Sequence, residues 1–330
     1  MNVDPRKLAV RAAFAVLTAT LIAAAAGAVA QGYPSRVVRL IVPFPPGGAT
    51  DVLGRIVGQK LSESFGQQVV IDNRPGASGN IGAELAAKAA PDGYTIFVGQ
   101  ASNLAINLSL LGKLPYDSLR GFAPVTLIAQ TPNLLVVHPS LPVRTVRDLV
   151  ALAQAKPGAI NYASAGNGSP GHLAAELLKR TAGIDLVHIP YKGAAPALTD
   201  VVAGHASLYF TSPISAQPFV KSGRLRMVAV TSAKRSPSLK DVPAIAESGF
   251  PGFDLVSWWG VLAPAGVPRD IIVRLNGEII RILGLPDVRQ RYDGLGAEVA
   301  TSTPDQFAAY IRSEIAKWAK VVKESGARVD

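Results

Sequence analysis

The stretch Arg36-Val37-Val38-Arg39-Leu40-Ile41-Val42-Pro43-Phe44-Pro45-Pro46-Gly47-Gly48-Ala49-Thr50-Asp51 decides the fold. Its apolar first half predicts a strand over 37–42, which the prolines and glycines then break. Val52, Leu53, Ile56, Val57, Leu61 and Phe65 follow at i, i+3/i+4 spacing, predicting a helix over 51–65 with one face on a sheet. The pattern then repeats. A strand-like run at 69–71 breaks at Asn73-Arg74-Pro75-Gly76-Ala77-Ser78-Gly79-Asn80, a helix is predicted over 81–90, and a third strand over 95–98. This β-α-β-α-β order is that of a doubly wound α/β lobe. Two glycine-rich strand-to-helix turns in neighbouring units set two helix N-termini along one sheet edge, where unpaired N–H groups and the helix dipole favour an anion. Neither turn carries a lysine, histidine or cysteine. The sequence therefore supplies a cradle for a carboxylate or similar group and little to act on it.

Residues 1–30 read as a secretory leader: Arg6, Lys7 and Arg11 are the basic start, 14–26 is an apolar and small-residue run, and Ala28-Val29-Ala30 fits the cleavage pattern. The run is shorter than the roughly 20 apolar residues that span a bilayer. The expected location is the periplasm. The chain has no cysteine, which excludes disulfides, thiolate metal sites, a thiol nucleophile and lipid attachment at a cysteine. The leader carries two more positive than negative charges, so the formal net charge falls from +10 to +8 on its removal. Those bases are scattered and aromatics are few, which argues against nucleic acid and for a mild field that draws anionic solutes.

The remaining length is enough for two lobes, each with a core. Alternation restarts with a strand at 134–137 and continues as helix 146–154, strand 160–163, helix 171–181, strand 187–189, helix 195–202, strand 208–210, helix 215–222 and strand 226–231. A Pro/Gly-rich stretch over 236–253 holds a short helix near Ala244, then come a strand over 255–262 and two amphipathic helices over 269–283 and 304–325. The closing helices need a sheet face to cover, so the chain is expected to return to the first lobe, crossing near Thr131 and again near Ser257. The expected domains are 31–131 with 257–330, and 132–256. Two crossings make a hinge, and a hinge between α/β lobes encloses a cleft.

Six segments together resemble the Bug family, the periplasmic solute receptors of tripartite tricarboxylate transporters. They are Pro43-Phe44-Pro45-Pro46-Gly47-Gly48, Asn73-Arg74-Pro75-Gly76-Ala77-Ser78-Gly79, Pro91-Asp92-Gly93-Tyr94-Thr95, Tyr162-Ala163-Ser164-Ala165-Gly166-Asn167-Gly168, His188-Ile189-Pro190-Tyr191-Lys192-Gly193 and Leu262-Ala263-Pro264-Ala265-Gly266. The resemblance implies a two-domain, Venus-flytrap periplasmic binding protein, each domain a doubly wound α/β sheet, linked by two crossover strands. It implies that the first jaw grips a ligand carboxylate through Phe44, Gly47, Gly48, Ala49 and Thr50 and through Ala77, Ser78, Gly79 and Asn80, with Ser102 after the third strand. The second jaw would read the rest of the ligand with Ser164, Ser169, Phe210, Thr211 and Ser212. Many members carry an acidic residue and an amide just past the Phe, where this chain has Thr211-Ser212. That departure removes a partner for an ammonium group and implies a dicarboxylate or an aromatic acid. The implied partners are the organic acid and membrane permease subunits, with the receptor a monomer and no cofactor.

Rival signals are weaker. Gly166-Asn167-Gly168-Ser169-Pro170-Gly171 matches a dinucleotide fingerprint, but the next acidic residue, Asp185, precedes its strand instead of ending it. Ser169 reads equally as a ligand hydroxyl or as the N-cap before Pro170. No Gly-x-Ser triplet completes a nucleophile elbow, and His138, His172, His188 and His205 lack metal-site spacing. His172 reads as a structural group or a ligand contact, Arg74 as an anion clamp or a loop tie. Of Trp258 and Trp259, alternation on a strand puts one in a core and the other toward the cleft. A secreted α/β hydrolase-like enzyme acting on an anionic substrate is the alternative reading.

Overall fold

The computed structural model describes residues 32–327. The leader assigned to residues 1–30 lies outside them.

The first β-α-β-α-β run folds as β1 (Val38–Val42), α1 (Ala49–Phe65), β2 (Val69–Asn73), α2 (Asn80–Ala87) and β3 (Thr95–Gln100). β1 pairs in parallel with β2 on one side and β3 on the other. Val42 is in register with Asn73, so the two glycine-rich turns leave the sheet at the same level. On α1, Leu53, Ile56, Val57 and Leu61 are buried as their spacing requires. Gly58 lets the helix lie close to the sheet: a Cβ there would meet Ile71 Cδ1 at 2.9 Å. A π-helical turn (Ser102–Ile106) and α3 (Asn107–Leu111) then lead to β4 (Phe122–Pro132).

The second sheet is built from β5 (Leu134–Val137), α4 (Val146–Ala155), β6 (Asn161–Ser164), α5 (Pro170–Ala182), β7 (Val187–Pro190), α6 (Ala194–Ala203), β8 (Leu208–Thr211), α7 (Pro213–Lys221) and β9 (Arg226–Val230). Its strand order is β7-β6-β8-β5-β9, with β6 parallel to both neighbours and β5 antiparallel to both of its own. The chain returns through β10 (Val256–Pro264), α8 (Arg269–Leu283), α9 (Pro286–Gly294), β11 (Glu298–Val299) and α10 (Pro304–Ser325). β10 enters the first sheet antiparallel, between β3 and β4, giving the order β11-β4-β10-β3-β1-β2.

The two passages between sheets sit side by side: Thr131 near the end of β4 is in register with Ser257 near the start of β10. Asn133 alone separates β4 from β5. Four elements have no counterpart in the sequence reading: β4, α3, α9 and β11. α9 buries only Val288 and Tyr292 and is otherwise polar, so it carries little periodic signal. β4 is buried on both faces for most of its length and interrupted by Pro124, so it shows no two-residue alternation. Trp258 is the core member of the pair: its ring packs edge-on against Phe307 and Tyr310, and its Nε1 donates to Glu314 at 2.7 Å.

Candidate functional site

Two adjoining chambers lie between the carboxyl ends of β1, β2 and β3 and those of β6 and β8. The inner one, about 60 Å³, is lined by residues from both sheets and from the crossovers; the outer one is about 300 Å³. Phe44 and Ala165 border both.

The first jaw is the start of α1. Gly48 is its N-cap and no side chain caps it. The first helical amides, Ala49 and Thr50, have no preceding intrahelical carbonyl, and both residues face the inner chamber beside Gly48. Gly47 is turned away. Its N–H donates to Asp51 Oδ2 at 3.0 Å, and that carboxylate also receives Arg55 Nε and Asn73 Nδ2, each at 2.9 Å. Burial acts to raise the Asp51 pKa, but the hydrogen bonds from Arg55, Gly47 and Asn73 outweigh it and hold the carboxyl below its usual range. Asp51 thus spends its charge in locking the turn's shape.

The second turn winds into a single 3₁₀ turn, Ala77–Gly79, whose Ala77 (φ 46°) and Ser78 (φ 52°) are left-handed. For residues bearing a Cβ this conformation stores on the order of 1–3 kcal/mol each. The strain is held by contact with the opposite jaw. Ser78 Oγ donates to the carbonyl of Asn167, in the loop after β6. Ala77, Ser78 and Gly79 line the outer chamber with Gly166, Asn167, Tyr191 and Lys192. A Cβ on Gly193 would come within 2.6 Å of Pro45 Cδ, so the jaws are shut on one another.

The second jaw presents two more helix starts. Ser169 caps α5, accepting from His172 N at 3.3 Å, and Ser212 caps α7, accepting from Ile214 N at 3.2 Å; both also line the inner chamber. Both helices have Pro at their first position, Pro170 and Pro213. α5 begins hard against the end of β8, since a Cβ on Gly171 would lie 2.0 Å from the Phe210 carbonyl oxygen. Phe210, Thr211 and Ser212 are all on the inner wall.

Four candidates stand outside both linings, each with its polar group engaged. Gly47 serves Asp51, as described. Asn80 Oδ1 accepts from Asn107 Nδ2 and Tyr116 Oη, each at 2.7 Å. Ser102 Oγ accepts from Gln100 Nε2 at 3.0 Å. Ser164 is fully buried, 2.6 Å from His188 Nε2 and accepting from Gly166 N. The Ser164–His188 distance suits a nucleophile and its base, but the hydroxyl opens into neither chamber. The rings of Tyr162, His188 and His172 form one stack, with centroids 4.7 and 4.3 Å apart. His172 Nδ1 accepts from Gly168 N. Burial is the main cause that pushes the His172 pKa down to about 4, so the imidazole is neutral. Arg74 is tied to Asp72. Among the described residues no group of three His, Asp or Glu is placed to hold a metal.

Several lining residues were not foreseen: Gln100, Asn133, Ser215 and Ser257. Trp259, the cleft-side member of its pair, donates from Nε1 to Thr50 Oγ1, which donates to Gln100 Oε1, each at 2.9 Å. Among the described residues no Lys, Arg, His, Asp or Glu lines the inner chamber, and Lys192 is the only charged side chain lining the outer one. An anion inside is therefore met by backbone amides, hydroxyls and carboxamides.

Comparison with known proteins agrees with this architecture. Residues 53–327 match the profile of the tripartite tricarboxylate transporter family receptor. BugT of Bordetella pertussis is 39% identical over 301 residues, covering 91% of this chain and 92% of its own. A solved R. palustris protein with adipate is 41% identical and superposes with a TM-score of 0.88, covering 90% of this chain and 100% of that one. MatC from Rhodopseudomonas palustris, with bound malate, is 32% identical with a TM-score of 0.83, covering 88% and 100%. Shared sequence over nearly the whole described length, together with the same two-sheet fold, places this chain in the tripartite tricarboxylate transporter receptor family.

Proposed function

We propose that this receptor closes over a small organic acid in the periplasm, a dicarboxylate or an aromatic carboxylate, and presents it to membrane permease subunits or a sensor. One observation carries the reading: the uncapped start of α1 opens onto a chamber whose other walls are neutral donors and aromatic rings. Charge-assisted N–H bonds contribute about 1.5–3 kcal/mol each, and a helix N-terminus up to about 2 when partly buried. A micromolar complex needs about 8 kcal/mol, so a few such contacts suffice. The adipate and malate carried by the related structures belong to the same chemical class.

In this reading the acid lies against Phe44, Gly48, Ala49, Thr50, Ser169, Phe210, Thr211 and Ser212, with Ala77, Ser78 and Gly79 closing its entrance. Domains 31–131 with 257–330 and 132–256 move about the two crossovers. Export by the leader at 1–30 is supported by its charge pattern and by the family; among the described residues no helix is long and apolar enough to cross a membrane. A role in binding without catalysis is supported by the burial of Ser164. Calorimetry against dicarboxylates, aromatic acids and amino acids tests the reading: binding of acids that lack an amine, recovered unchanged, supports it. Tight binding of amino acids alone, or conversion of a bound acid, contradicts it.

A further inference from the structure

Gly166-Asn167-Gly168, in the loop between β6 and α5, meets the first jaw across the mouth of the cleft. Asn167 is the contact, its carbonyl accepting from Ser78 Oγ. The glycines on either side have positive φ, 119° and 76°, and both lie against the first lobe: a Cβ on Gly166 would come within 3.2 Å of Ser78 Oγ, and one on Gly168 within 2.5 Å of Asn107 Oδ1. Glycine backbone is the least inclined to hold one direction unaided. Two histidines brace it. Gly168 N–H donates to His172 Nδ1 at 3.2 Å; Gly166 N–H donates to Ser164 Oγ at 3.1 Å, and that hydroxyl is 2.6 Å from His188 Nε2. One imidazole thus holds each flank of Asn167, the second through a buried hydroxyl. The rings stack on one another, and the stack ends on Tyr162, whose Oη donates to Glu176, which also accepts from Lys179 Nζ at 2.9 Å. Neither histidine lines either chamber.

We propose that His172 and His188 are positioning residues for closure, holding the backbone on both flanks of Asn167 so that its carbonyl meets Ser78 and sets how long the shut jaws retain their ligand. The inference rests on the receptor reading, in which the jaws open to release the acid. Ordering the loop in advance removes a cost that closure would otherwise carry. The two imidazoles act through Asn167 and touch no ligand, so they govern release and not which acid is held. Affinity differences within one interface fall mostly in the off-rate, which makes release the quantity to measure.

The test is stopped-flow release from the full chain at neutral pH, with malate, adipate or benzoate as probe, whichever the wild type binds tightest. Tryptophan fluorescence reports it, since Trp259 lines the inner chamber. His172→Phe keeps a ring in the stack and removes the acceptor; it is expected to speed release about 2- to 10-fold, the effect of one hydrogen bond. His172→Asn sets an acceptor oxygen near the place of Nδ1 and is expected to bring release back to within about twofold of wild type. In a Ser78→Ala background His172→Phe is expected to add little, because the contact it serves is already gone. His188→Phe, expected to follow the same pattern, keeps the test decisive if His172→Phe fails to fold. Unchanged release in the Phe variant that folds overturns the inference, as does an undiminished effect of that variant in the Ser78→Ala background, or release from His172→Asn as fast as from His172→Phe. A wild type that binds none of the three acids overturns the receptor reading and this inference with it, a distinct result.

Discussion

Trp259 Nε1 donates to Thr50 Oγ1 across 2.9 Å, joining residues 209 positions apart in the chain. The strand that returns from the second crossover is thereby fastened to the first turn of the helix that forms the anion cradle. Thr50 passes the bond on to Gln100 at the end of β3, so two strands of the first sheet, β10 and β3, position one helix start.

Thr50→Val keeps the shape and removes the relay. Trp259 Nε1 is then buried without an acceptor, which costs about 1–3 kcal/mol, while the half-buried Gln100 Oε1 only loses a donor. Urea unfolding should show a loss in that range with an unchanged m-value. A variant as stable as the wild type would show that the relay does not hold the site.

Ser78 Oγ is a first-jaw hydroxyl that reaches across the mouth, to the carbonyl of Asn167. Ser78→Ala removes a bond made only when the jaws are shut. A net contribution of about 0.5–1.5 kcal/mol predicts roughly a 2- to 10-fold loss of ligand affinity. The unliganded melting temperature should barely move. A large fall in that temperature would instead make Ser78 a folding contact.

Two groups at the site take part in the response to acid, beside other carboxylates held below their usual range, Glu176 and Asp72 among them. The His172 pKa lies at about 4, below its unfolded value of about 6.5, so its contribution is complete above about pH 6.5 and is lost as pH falls toward 4. Over that window the loss amounts to roughly 3 kcal/mol. The Asp51 pKa is also lowered, so its contribution is present above about pH 4 and is lost only below that. Stability measured from pH 7 to pH 3 should fall in two stages. His172→Phe should flatten the first stage, while lowering stability at pH 7 through the loss of the Gly168 bond. A first stage that persists in this variant would assign it to another group.

Gly171→Ala tests the approach of α5 to β8. The added Cβ would sit 2.0 Å from a backbone oxygen that no rotamer change can move aside. A loss of several kcal/mol is expected, at the upper end of single-residue effects. Near-wild-type stability would show that the strand end can yield.

The parts of the fold legible in sequence were those with a local signal. α8 and α10 fall where their apolar spacing puts them, at Arg269–Leu283 and Pro304–Ser325. The paired turns were legible because prolines and glycines punctuate strands directly. What the sequence hid depends on long-range register. Asn133, Ser257 and Gln100 reach the chamber only because β10 runs antiparallel between β3 and β4, and no local pattern announces an antiparallel strand arriving more than a hundred residues later. Side-chain partners also decide what Gly47 and Asn80 bond to. Both sit in turns of the right composition, yet their hydrogen-bonding groups are taken by Asp51, Asn107 and Tyr116.

The central claim is that the start of α1 holds a ligand carboxylate, and Gly48→Asp tests it most directly. Gly48 has an ordinary backbone conformation (φ −81°, ψ 167°), and a Cβ there would meet nothing closer than 3.7 Å, so the substitution fits the fold. It places a negative charge where the carboxylate would lie. Calorimetry of wild type and variant with the tightest-binding organic acid should give clear binding in the first and none in the second, at matching melting temperatures without ligand. Equal affinity in the two proteins would contradict the account and move the site elsewhere.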